Sequence, residues 1–222
     1  MGFNVEEPDN YQQKCLCVLL LDVSGSMARD HKLELLNDAV KQMYDDIIHG
    51  KNNVESSTKD RLFVEVISFD QAPHRLQPYK LLSEATPAPV LTTRGSTTNT
   101  VRAIDFAIKE IEEHKAMLKS QGQKYHMPWL ILVTDGNPSS SPEEVDRIAK
   151  VVKKEIDDKH MAMTAVGVGD KVSLAMLNKL SAGHGTMLKD YSFAKFFGWL
   201  AKSTDGIFKS DDEFDREVGL DN

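Results

Sequence analysis

The sequence predicts an α/β fold: a doubly wound, mostly parallel central sheet with helices on both faces and one short antiparallel edge strand. Three observations lead there. Two continuous apolar runs, 16–22 and 129–135, each end in an aspartate, the pattern of strands buried on both faces. Segments of this kind alternate with amphipathic stretches of helical period, the order expected of βαβ units. A stretch from Gln71 to Val90 holds Pro73, Pro78, Pro87 and Pro89 and so admits at best a short edge strand, 74–79.

The elements follow in order. After the first strand, Leu33, Leu36, Val40, Met43 and Ile47 recur at spacings of three and four, an apolar helical stripe that Gly50 and Asn52-Asn53 end. Residues 61–69 are rich in β-branched and aromatic side chains and read as a second strand. A polar loop, 92–98, leads into a helix whose stripe is Ala103, Ile104, Ala107, Ile108 and Ile111, with Leu118 further on. Beyond the 129–135 strand, Ser141-Pro142-Glu143-Glu144 has an N-cap, a proline at the first helical position and a glutamate at the third. Val145, Ile148, Val152 and Ile156 continue that helix. Residues 161–168 read as a strand, Ser173 caps a short helix, 186–188 reads as a last edge strand, and Phe193, Phe196, Phe197 and Leu200 mark the final helix.

The 222 residues thus divide into an N-terminal arm (1–14), one domain (15–202) and an acidic, flexible tail (203–222). The tail carries seven acids and two bases, a local net of −5 that leaves −2 of the chain's −7 for the rest. With no basic patch, nucleic acid is not an expected partner. The longest apolar run, 15–21, is too short to cross a bilayer, and the first ten residues are polar and acidic, unlike a signal peptide. No membrane association and a cytoplasmic location are therefore expected. The two cysteines, Cys15 and Cys17, share one strand face and read as small buried hydrophobes of a reducing compartment.

The segment Asp22-Val23-Ser24-Gly25-Ser26-Met27 carries the most chemistry. A carboxylate and two hydroxyls at alternate positions after a strand can converge on one point. Such oxygen donors suit a hard cation such as Mg²⁺. In an open parallel sheet, ligands bind beyond the carboxyl ends of the strands where strand order reverses. Asp22 and Asp135 both stand at such ends, each before turn-forming residues. If their strands are neighbours, the two acids share a crevice, and a divalent cation would relieve their repulsion.

Three segments in this order, 22–27, 98–104 (Thr-Asn-Thr-Val-Arg-Ala-Ile) and 133–136 (Val-Thr-Asp-Gly), resemble the metal-ion-dependent adhesion site of von Willebrand factor type A (VWA) domains. The resemblance runs from about residue 15 to 202 and implies a Rossmann-like fold. It implies that Ser24, Ser26 and Thr98 ligate Mg²⁺ (Mn²⁺ or Ca²⁺ being alternatives), with Asp22 and Asp135 beside the ion. Thr97, one residue earlier, is the alternative to Thr98, because the loop 96–99 departs from the Gly-Gly-Thr-Pro form of many bacterial members. The lead-in Cys15-Leu16-Cys17, the stretch 125–129 and the closing Phe196-Phe197-Gly198-Trp199-Leu200 are similar to the bacterial tellurium-resistance TerY-like group. That narrower likeness implies a stress-related role on partner proteins of kinase or phosphatase type.

Two function classes compete. One is a non-enzymatic binding module whose metal recruits an Asp or Glu of a partner protein. The other is a metal-dependent hydrolase or phosphatase that uses Asp22, against which Ser24 stands where aspartyl-phosphate chemistry often has a second aspartate. A nucleotide site is a poor third: Gly167-Val168-Gly169 follows a strand, but Val172 replaces the third glycine of the fingerprint. The seven histidines show no metal-ligand spacing, and His31 lies close to the serine loop, where it could contact a partner.

Overall fold

A computed structural model describes residues 13–84 and 87–204, the side chain of Ser56 excepted. The arm (all but residues 13 and 14) and the tail from residue 205 lie outside these residues. Among the described residues six strands form one sheet: β1 Cys15–Asp22, β2 Leu62–Phe69, β3 Pro73–Leu81, β4 Trp129–Thr134, β5 Ala162–Val168 and β6 Gly185–Leu188. Among the described residues five α-helices accompany them: α1 Lys32–His49, α2 Thr100–Ser120, α3 Pro142–Asp157, α4 Leu174–Leu180 and α5 Phe193–Ser203. The order across the sheet is β3-β2-β1-β4-β5-β6, and every pair is parallel except β2–β3. This is the doubly wound sheet with an antiparallel edge strand that the sequence predicts.

Each element has a local cause. All eight residues of β1 are buried, which its unbroken apolar run allows. Gly50 ends α1 in the left-handed conformation (φ 61°), where a side chain would be strained. Asn99 caps α2, and Ser141 with Glu144 forms a complete capping box on α3. Pro73 and Pro78 fall in β3, where the outer edge asks for no ladder donor. The strand runs to Leu81, longer than the sequence suggests, because pairing to β2 supplies its hydrogen bonds.

The sheet separates two cores. Cys15, Cys17, Leu19 and Leu21 face α1 and α5, among Leu36, Met43, Phe193, Phe196 and Phe197. Val18 and Leu20 face α2, α3 and α4, among Ile104, Ile111, Ile148 and Leu177. The phenylalanines of the last helix are therefore core. Both cysteines are buried, and burial pushes the Cys17 thiol up to about 12, so it is unreactive at neutral pH. At Gly167 an added Cβ would stand 2.6 Å from Leu177 and Met187 side-chain atoms, so this glycine serves close packing. Among the described residues no helix is long and apolar enough to cross a membrane.

An ionisable group also sits inside the sheet. Glu65 of β2 is fully buried on the α2 face. Arg75 of β3 reaches it through Nε (3.1 Å) and pairs with Glu110 of α2 through its other end. Burial first, and then the neighbouring Glu110, push the Glu65 carboxyl up to about 8; Arg75 only partly opposes this. A carboxyl raised in the folded state holds its proton longer there than in the unfolded chain. Its ionisation therefore erodes stability as pH rises from about 4.5 towards 8. Glu65→Gln removes the effect. Urea unfolding across that range should show the wild type losing up to about 1.4 kcal/mol per pH unit relative to the variant. Parallel pH profiles would refute this account.

Candidate metal centre

The site lies where strand order reverses. β1 pairs with β2 on one side and with β4 on the other, and Leu21 stands opposite Val133. That register sets Asp22, the last residue of β1, beside Asp135, which follows β4. Both carboxylates are buried, at 0% and 1% exposure. Two charges can be held there only if their oxygens are bonded.

The local chain meets that demand. After β1 the backbone turns, and the Ser24 N–H donates to Asp22 Oδ1 at 2.8 Å. The Thr134 hydroxyl donates to Asp22 Oδ2 at 2.6 Å and accepts from the Gly136 N–H at 3.2 Å. Ser26 Oγ donates to Asp135 Oδ1 at 2.5 Å. That uses the only hydrogen of Ser26, so across the 3.1 Å separation of the two serine oxygens Ser24 is the donor. Asp135 Oδ2 takes an ion pair from Lys32 Nζ, and Lys32 is itself buried at the start of α1. Burial raises the Asp22 carboxyl to about 6; the Thr134 and Ser24 hydrogen bonds pull it down, and the Asp135 carboxylate adds to the rise.

The third segment is held from both sides. The Asn99 N–H donates to Asp70 O at 2.7 Å, tying the loop to the end of β2. The Thr98 carbonyl accepts from the Ser139 N–H (2.9 Å) and hydroxyl (3.0 Å), tying it to the loop after β4. Gly95 packs on Asp70, where an added Cβ would meet Oδ2 at 2.4 Å. Thr98 is buried, and its Oγ1 lies 3.7 Å from where a Cβ on Gly136 would stand, beside the Asp135 turn. Thr97 is half-buried. The structure thus brings Asp22, Ser24, Ser26 and Asp135 into one hydrogen-bonded cluster and sets the Thr98 hydroxyl beside Gly136, the residue after Asp135.

The donor set fits a hard divalent cation. Adjacent ligands of an octahedral Mg²⁺ stand about 2.9 Å apart, given metal–oxygen distances of about 2.0–2.1 Å. The serine oxygens are 3.1 Å apart before any ion arrives. Only two of the five side chains are carboxylates. This accords with the finding that, among the described residues, no group of three or more His, Cys, Asp or Glu could hold a metal. The ligands would be mostly hydroxyls.

A family model, the von Willebrand factor type A domain, matches residues 17–198. The chain belongs to this family. Among solved structures, this VWA domain is similar to a von Willebrand factor type A protein from Catenulispora acidiphila, at 17% identity and a TM-score of 0.67, over 87% of this chain and 43% of that one. It is similar to proximal thread matrix protein 1 from the mussel byssus, solved with zinc in its MIDAS motif, at 15% identity and a TM-score of 0.59, over 86% and 45%. It is also similar to the ArnB paralog VWA2 from Sulfolobus acidocaldarius, at 18% identity and a TM-score of 0.58, over 84% and 45%. The chain spans less than half the length of each, and at these identities the likeness is one of fold. No curated protein sequence matches it significantly.

Sequence reasoning assigned no role to Thr134, Lys32 or Asp70. For Lys32 a signal existed: it stands one turn before Leu36, in line with the apolar stripe Leu36, Val40, Met43 and Ile47. A lysine in that register is buried or aimed at something. Leu33, placed in the stripe by its spacing, is only half-buried. His31, by contrast, is exposed and pairs with Glu34 at 2.7 Å.

The Thr134 hydroxyl is the donor most easily tested. Thr134→Val keeps the shape and leaves a buried Asp22 oxygen short of a partner. Chemical denaturation at neutral pH should show a loss of about 1–3 kcal/mol. An unchanged unfolding midpoint would mean that Asp22 does not depend on this bond.

Proposed function

We propose that this VWA domain is a non-enzymatic, metal-dependent protein-binding module. Ser24, Ser26 and Thr98 would hold Mg²⁺, with Mn²⁺ or Ca²⁺ as substitutes, and Asp22 and Asp135 would support it from behind. The observation that carries the reading is the donor set itself: the Ser24 and Ser26 hydroxyl oxygens lie 3.1 Å apart beside two carboxylates whose four oxygens are all bonded. A cation held by neutral ligands keeps most of its charge, and when bound it would offer an open position to an Asp or Glu of a partner protein. VWA domains generally mediate protein–protein contacts, and one similar structure carries zinc in its MIDAS motif.

A hydrolase or phosphatase using Asp22 is the weaker reading. A nucleophilic carboxylate needs a free oxygen facing its substrate. Both Asp22 oxygens accept hydrogen bonds, from Ser24 and Thr134, and the residue is fully buried. Burial also raises its pKa to about 6, so it is a carboxylate costly to ionise rather than one primed for attack.

The narrower proposal places the protein in a cytoplasmic, stress-related or tellurium-resistance-type system of the TerY-like kind, with kinase- or phosphatase-type proteins as partners. It is supported by the sequence likeness at Cys15-Leu16-Cys17, at residues 125–129 and at 196–200. The second of these runs into the first residue of β4, and the third lies in α5.

Affinity capture tests the main reading. Partner proteins should be retained by the wild type in Mg²⁺ and lost both in EDTA and with Asp22→Ala. Equal capture under all three conditions would overturn it. Turnover of a phosphoester panel by the wild type, abolished in Asp22→Ala, would favour the hydrolase.

A further inference from the structure

We propose that Lys32 is a built-in cation that competes with the divalent ion for Asp135, and so sets how tightly the site loads and how strongly the loaded site attracts an anion. The inference rests on the metal-binding reading above. Its observation is the direct ion pair between Lys32 Nζ and Asp135 Oδ2, inside a site whose other Asp135 oxygen is already bonded to Ser26.

Local preferences oppose a lysine at this position, which is the reason to look for a role. Lys32 is the first residue of α1, where the helix dipole disfavours positive charge. It is 5% exposed, although ammonium groups are rarely buried. The two residues before it, Asp30 (φ 54°) and His31 (φ 56°), both adopt left-handed backbone, a strained arrangement for side-chain-bearing residues in succession. The Leu33 N–H is fixed to Met27 O at 2.9 Å, so the start of the helix is tied to the serine loop. The chain accepts an unfavourable charge, burial and strained dihedrals, and the result is one ammonium aimed at one metal-site carboxylate.

Charge counting gives the consequence. With Lys32 in place the empty site holds two carboxylates and one ammonium, a net of −1 when all are ionised. A divalent cation would bring it to +1. Without the ammonium the empty site holds −2, and loading would only neutralise it. Lys32 therefore weakens metal binding and leaves the loaded site positive, which favours a carboxylate from a partner. This assigns an affinity-setting role to a residue outside the five donors.

Calorimetric titration of the wild type, Lys32→Met and Lys32→Arg with Mg²⁺ and Mn²⁺ tests this. Lys32→Met keeps most of the apolar stem and removes the charge; its metal affinity should rise on the order of tenfold or more, the effect of losing about 1.4 kcal/mol of repulsion. Lys32→Arg keeps the charge and should stay near the wild type. In EDTA, Lys32→Met should melt below the wild type, because Asp135 loses its partner, and saturating Mg²⁺ should raise its Tm more than that of the wild type. Acetate, added as a minimal carboxylate to the Mn²⁺-loaded proteins, should bind the wild type better than Lys32→Met. If the wild type binds metal and Lys32→Met binds it no more tightly, the role of Lys32 is refuted while the metal site stands. If neither the wild type nor Lys32→Met binds metal at millimolar concentration, while circular dichroism shows both folded, the metal reading itself falls and this inference with it.

Discussion

Two carboxylates buried side by side at the carboxyl edge of the sheet are the constraint on which the rest of the site depends. Asp22 and Asp135 have almost no contact with solvent, and each of their four oxygens is engaged. A buried carboxylate oxygen left without a partner is costly, so each bond specifies a residue nearby. Oδ1 of Asp22 requires the backbone to turn at Ser24. Oδ2 requires a hydroxyl at 134. Oδ1 of Asp135 requires one at 26, and Oδ2 draws in Lys32 from the first position of α1. The turn after β1, the last residue of β4 and the start of a helix are thus fixed by one electrostatic demand.

The same sheet buries a third acid with a different outcome. Glu65 lies in the middle of β2 rather than at a strand end, and its partner Arg75 comes from the edge strand beside it. There the compensation is incomplete, and the carboxyl is raised to about 8. At the strand ends, loops bring hydroxyls and backbone donors from three directions. Within a ladder the backbone donors are already committed to neighbouring strands, and only side chains can respond. Topology therefore determines which buried carboxylates can have all their oxygens bonded and which cannot.

Much of this was legible in the chain. The unbroken apolar runs ending at Asp22 and Asp135 made two buried strands with acids at their ends, because a parallel strand covered on both faces leaves no room for alternation. Ser141-Pro142 and Gly50 fixed helix ends through short-range backbone chemistry. The hydroxyls at 24, 26 and 98 stood out through their spacing and family resemblance. The full length of β3 was not legible, since its prolines argue against a strand until an outer edge is available. Lys32 was legible only in part: its place in line with the apolar stripe marks it as inward-facing, but nothing local says which acid it meets.

The sequence by itself determined the order of elements, the two buried acids and the hydroxyl-rich turn, because periodicity, capping and strand burial act over a few residues. Tertiary structure alone decided that β1 and β4 are neighbours, that Thr98 swings in beside Gly136, and that Lys32 turns inward to Asp135 rather than outward to water. The physical reason is range. The ammonium that pairs with Asp135 stands 103 residues away, and whether a charge is paired or solvated depends on what the fold sets beside it.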